Sequence, residues 1–163
     1  MIRRLHVANL KRTRYISEQV WNTVPESLAL ATAYNSGMHV MEIIRHIIDA
    51  DAWFYNLTIH HGDVSKIKPT NGKVVYESIR QEIVKGKDSL LPMLQLINTT
   101  SNDDYEQVII NRTDKKFTMN LNNFLTRICY HEAYHTGQLV ALLRDNNIEV
   151  PTIWNVDDGF AVL

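Results

Sequence analysis

Apolar residues recur at helical spacing over most of the chain, in segments separated by turn-forming residues. From about Ile2 to Thr23 there is no Gly or Pro, and Leu5, Leu10, Val20, Trp21 and Val24 fall where a helix gathers them onto one side. Asn9, Arg12 and Ser17 interrupt that stripe, which predicts a helix facing a partly polar cavity or a partner subunit rather than a dry core. Pro25-Glu26-Ser27 breaks the pattern, and the stretch through Tyr34-Asn35-Ser36-Gly37 reads as a connection with room for one helical turn in Leu28 to Ala33. A second helix opens at Ser36 or Gly37 and runs to about His60, with Met41, Ile44, Ile47, Ile48 and Trp53 at helical spacing. Along one side of it lie His39, Ile43, His46, Ala50, Trp53 and Leu57, so His46 sits mid-helix on a mostly apolar face.

Gly62 to Gly72, with Pro69 and Asn71-Gly72, is a loop of turn formers. A third helix is expected from about Lys73 to Ile97, carrying Val75, Ile79, Ile83, Leu90, Leu94 and Ile97 on one face, weakened by Gly86 and kinked at Pro92. Ser101-Asn102-Asp103-Asp104 ends it. Between Tyr105 and Phe117, Val108-Ile109-Ile110 and Phe117 flank a polar run, which suggests a small hairpin or an extended excursion. Thr118 or Asn120 caps a fourth helix whose inner stripe runs Leu121, Phe124 or Leu125, Ile128, His131, His135, Gln138 or Leu139, and Leu142. The pattern is therefore all-α, a single domain over 1–163 with long connections. The tail from Pro151 shows no usable periodicity.

Composition narrows the function classes. With 17 basic and 18 acidic residues the chain has no bulk charge to attract nucleic acid or an anionic membrane. The basic residues Arg3, Arg4, Lys11, Arg12 and Arg14 read as a solvated helix face. Cys129 is the single cysteine, which rules out an intrachain disulfide and fits a reducing, cytoplasmic setting. No apolar run reaches the ~18 residues of a membrane span, and the N-terminus lacks the apolar run of a signal peptide.

The chemistry concentrates in Tyr130-His131-Glu132-Ala133-Tyr134-His135-Thr136-Gly137-Gln138. Two histidines four residues apart on a helix are ~400° apart in rotation and about 6 Å apart along the axis, a spacing that suits one metal ion. The same spelling is found in zincin peptidases, but no histidine follows His135, and the downstream acids Asp157 and Asp158 lie in an irregular tail. Cys129 is two positions from His131, about 200° round the helix, and reads as a small buried residue. Gly137 reads as a site of close helix approach. His46 is the alternative third ligand, because facing helices ~8–10 Å apart bring side chains onto one ion. His39 and His60 lie ~10 Å and ~21 Å from His46 along its axis, too far to share it. Glu42 and Asp49 share the side of His46, and either can orient its imidazole or add an oxygen ligand.

With His46 in Glu42-Ile43-Ile44-Arg45-His46, Asp51 and Trp53 just after it, and His131-x-x-x-His135-x-Gly137-Gln138 on the last long helix, the sequence resembles the DinB-like (YfiT-like) proteins. That resemblance implies a four-helix bundle and one divalent ion, nickel or zinc, on His46, His131 and His135. It also implies a transferase using a low-molecular-weight thiol, because a metal with an open position lowers a thiol pKa. Glu132 is then either a base acting behind the ligands or a solvated side chain, and Tyr134 and Gln138 are pocket residues. The expected partners are a small-molecule substrate and a second copy of the chain in a homodimer, without nucleic acid or membrane. The competing readings are a dimeric, non-catalytic small-molecule-binding or stress-response protein with a structural metal, and a zincin-type peptidase.

Overall fold

The computed structural model describes residues 1–33, 37–67 and 75–152, and over them the fold is mostly helical. Three long helices frame it: α1 (Ile2–Thr23), α2 (Val40–Ile59) and, after the shorter α3 (Ile79–Gly86), α4 (Leu91–Thr99) and α5 (Asp104–Gln107), the 25-residue α6 (Leu121–Asp145). Strands β1 (Ile109–Arg112) and β2 (Phe117–Asn120) pair antiparallel ahead of α6, the hairpin alternative of the sequence reading.

Two apolar clusters form the core, and a polar layer lies between them. One contains Val20 and Trp21 of α1, Ile44 and Ile47 of α2, and Leu139 and Leu143 of α6. The other contains Leu10 of α1, Phe54 and Leu57 of α2, Met93 and Ile97 of α4, and Phe124, Leu125 and Ile128 of α6. The order of these residues along each helix shows that α2 runs opposite to α1 and α6. In the middle of the same three helices the buried positions turn polar: Arg14 and Ser17, Asp51, and Glu132, His135 and Thr136. Burying such groups is tolerable only where they satisfy one another.

Several expectations are corrected. The second helix begins at Val40, not at Ser36 or Gly37, because His39 is its cap: the His39 ring accepts from the Glu42 amide and the Glu42 carboxylate accepts from the His39 amide. The third helix is two helices, interrupted after Gly86. A Cβ there would sit 2.4 Å from the Ile48 side chain, so α3 needs a glycine to approach α2. Pro92 then stands in the first turn of α4, where a missing amide costs nothing. The turn after α1 is a 3₁₀ turn at Glu26–Leu28, and the Glu26 carboxylate accepts from the Ile79 and Arg80 amides at the start of α3. Leu5 and Val75 are exposed, while Arg14, expected on a solvated face, is buried. Trp53, on the expected inner stripe of α2, is 38% exposed.

Gly62 closes α2 at φ +88°, and an added Cβ would meet the Asn111 backbone oxygen at 2.4 Å, so this turn and β1 approach too closely for any side chain. The expected turn at Pro69 and Asn71-Gly72 falls outside the described residues, as do Trp154, Asp157 and Asp158. No described helix is long and apolar enough to cross a membrane.

Candidate metal centre

Asn120 caps α6 by accepting from the Asn123 amide, and the helix then carries Leu121, Phe124, Leu125 and Ile128 inward before reaching His131 and His135. Across from them α2 presents His46. The three rings converge with centroids 4.7 to 4.9 Å apart, and one nitrogen from each ring lies within 4.8 Å of the other two. His46 Nε2 and His131 Nε2 are 3.0 Å apart. Two imidazoles on one ion with bonds of about 2.1 Å place their nitrogens roughly 3.0 to 3.4 Å apart, so the closest pair is already at ligand spacing and the third needs only a small side-chain adjustment. Exposure falls from His46, open to solvent, through the half-buried His131 to the buried His135.

The protonation of these rings favours ligation. Burial, with the charges of His135, His46 and Arg127, lowers the His131 pKa to about 4, so the ring is neutral at neutral pH with a lone pair to donate. Burial and His135 also lower that of His46. His135 Nδ1 and Gln138 Oε1 are 2.8 Å apart. With the amide oxygen accepting, the proton sits on Nδ1 and Nε2 is left free. Gln138 Nε2 donates in turn to Tyr134 Oη at 3.4 Å, and the Tyr134 ring meets His135 edge-on at 5.1 Å. Gln138 and Tyr134, expected as pocket residues, thus act directly on one of the three imidazoles.

Of the other candidates only Asp49 faces the same cleft. Glu42 is spent on the cap of α2 and pairs with His39. Asp49 lines the cleft beside His46, and burial pushes its carboxyl up. Glu132 is 2% exposed, so it is not a solvated side chain. It turns away from the histidines, and its carboxylate accepts from Arg14 Nε at 2.8 Å and Nη2 at 3.3 Å. The same guanidinium reaches both Asp51 oxygens at 3.1 and 2.9 Å, and Ser89 Oγ at 3.2 Å. Ser89 Oγ donates to Asp51, and Ser17 bonds Thr136 at 2.8 Å. Burial pushes both carboxyls up against the pull of Arg14. His6 is buried, bonded to Asn122 Oδ1 at 2.8 Å and stacked on Tyr105. Cys129 is half-buried, and burial pushes its thiol up to about 11, which leaves it unreactive. Gly137 has nothing within 4 Å of an added Cβ, which overturns its reading as a close-approach site.

The centre opens onto a cleft of about 880 Å³. Phe54 and Phe124 form its inner wall, with the Phe54 ring 5.3 Å from that of His131. Trp53, Phe117, Tyr130 and Tyr134 supply further aromatic surface, and Arg112, Lys115 and Arg127 supply positive charge. Sequence reasoning missed these basic residues because two of them come from the hairpin and turn, whose placement over α6 no helical periodicity encodes. Comparison with known proteins is silent on this arrangement: no family model matches the chain, and no curated protein matches it.

Proposed function

We propose that this chain is a DinB-like metalloprotein on a four-helix bundle, holding one divalent ion, nickel or zinc, on His46, His131 and His135. The observation that carries the reading is the convergence of three imidazoles, two of them 85 residues apart in the chain, at the head of a cleft. Three neutral nitrogen ligands leave positions open toward the cleft, the pattern of a catalytic site rather than a closed structural one. When bound, the ion supplies Lewis acidity, lowering the pKa of a thiol or water in its open position. The reaction class that fits is transfer of a low-molecular-weight thiol to an electrophile, the sulfur losing its proton and forming a bond to the electrophilic atom.

The chain's own residues have separate tasks in this reading. Gln138 keeps the His135 proton on Nδ1, so that Nε2 faces the ion. Phe54 and Phe124 keep water from the inner side of His131. Asp49, with its carboxyl pushed up and its place on the cleft wall, is the acid that exchanges a proton with a bound molecule. Glu132 positions α6 through Arg14 and takes no proton from the substrate.

Elemental analysis of protein purified without an affinity-metal step tests the ligand set. Near-stoichiometric metal is expected in the wild type, with loss in both His46→Ala and His131→Ala. Full metal in His46→Ala would sink the assignment. Thiol consumption with a generic electrophile then separates enzyme from binder: rates should depend on added metal, and metal-independent rates across several thiols would favour the non-catalytic small-molecule-binding reading.

A further inference from the structure

The cleft in front of the histidines is asymmetric in charge. Asp49 is the acid on its wall, facing three cations, Arg112, Lys115 and Arg127. Arg112 is neutralised: its guanidinium is held by Asp114, with Nε to Oδ1 at 2.7 Å and Nη2 to Oδ2 at 2.6 Å, and lies over Trp53 and Phe117. Arg127 has no carboxylate among the described ion pairs, and its guanidinium lies 4.9 Å from the centre of the Phe117 ring. It stands one turn before His131 on α6, on the same face of the helix. A planar guanidinium stacked on an aromatic ring keeps its fork of donors in place, which suits a carboxylate or phosphate.

Around this cation the cleft is aromatic. Trp53, Tyr130 and Tyr134 stay 38%, 70% and 64% exposed, a surface that an apolar ligand would cover. We infer that the small molecule served by this site is an organic anion with an apolar or aromatic body. Its charged head lies on Arg127 and Lys115, its body against Trp53 and Tyr130, and its other end toward His46 and His131. The inference rests on the proposed metal centre for what the cleft does, but not for what the cleft binds.

Calorimetric titration of full-length protein, zinc-loaded and chelator-treated, with 3-phenylpropionate, phenyl phosphate and the neutral 3-phenylpropionamide tests this. Either anion should bind at least tenfold more tightly than the amide. Arg127→Gln should remove about tenfold of that preference and Lys115→Gln a smaller part, both with metal content unchanged. The preference should survive in chelator-treated protein, where coordination of the anion to zinc cannot produce it. Equal binding of amide and anions, no binding of any probe, or an anion preference intact in Arg127→Gln would overturn the inference. If His46→Ala keeps its metal while the Arg127-dependent preference holds, the metal assignment fails and the anion site stands.

Discussion

Two polar clusters share the middle of α2 and α6, and they are built in opposite ways. Asp51 follows His46 by little more than one turn, and Glu132 follows His131 directly, so each helix sends one chemistry to each side. On the inner side, the Arg14 guanidinium satisfies both carboxylates, with Ser89 completing the network. On the outer side, three imidazoles face one another at a solvent-open cleft, and the contact between His46 and His131 joins two nitrogens of the same kind. A closed network fixes the spacing of the helices, while the open set is left with lone pairs to donate. The closed network holds the three imidazoles in register.

Breaking the inner cluster should have the largest effect. Arg14→Ala leaves two buried carboxylates without their cation, which costs about 3–5 kcal/mol, read as a fall in the urea midpoint. A loss under about 1 kcal/mol would mean that water enters the cluster and the two sides are alike. Breaking the outer cluster should act through the ligand alone. Metal at a hundredfold excess over its Kd should stabilise the wild type by about 2.7 kcal/mol. That increment should vanish in His131→Ala, with chelator-treated wild type and variant unfolding at similar urea concentrations. A large loss in the chelator-treated variant would show that His131 is itself a packing residue.

A smaller effect separates burial from pairing inside the inner cluster. Burial raises the folded pKa of Asp51 above its ordinary 3.8, although Arg14 and Ser89 pull it down. The stability contributed by its proton is therefore fully present below 3.8 and is lost as pH rises through the folded value. Asp51→Asn mimics the protonated form at every pH. The stability of the wild type relative to this variant should fall as pH climbs from acid toward neutral. A relative stability that grows with pH would show that the ion pair with Arg14 outweighs desolvation. His6, whose pKa burial lowers, acts in the opposite direction in both proteins and cancels in the comparison.

The outer cluster was legible in the sequence and the inner one was not. His131 and His135 announce themselves by i,i+4 spacing, and His46 by its place on an apolar helical stripe. Arg14 gave no such signal. It lies among Arg3, Arg4, Lys11 and Arg12, and periodicity assigns a charge on a weak stripe to solvent. Its two partners come from α2 and α6, so only tertiary packing reveals that a charge is buried. The weak point between α3 and α4 was marked in the sequence by Gly86 and Pro92, but the reason for the glycine was not, since it is demanded by Ile48 of another helix. Asn120 could be read as a cap because capping is local.

Gly137 offers the gentlest test, because it lies just past the clusters' residues on α6 and belongs to neither. A residue two positions after His135 is a natural suspect for a structural or ligand role. Yet nothing stands within 4 Å of the Cβ it lacks, and the position is helical, so its glycine relieves no clash. Replacing a solvent-facing helical glycine by alanine removes backbone freedom from the unfolded chain and should stabilise the protein by about 0.5–1 kcal/mol. Gly137→Ala should therefore raise the urea midpoint slightly, with the metal content of the wild type. If it loses metal instead, the helix must bend at this glycine when the three imidazoles close on the ion, and the outer cluster would depend on a motion of α6 rather than on side chains alone.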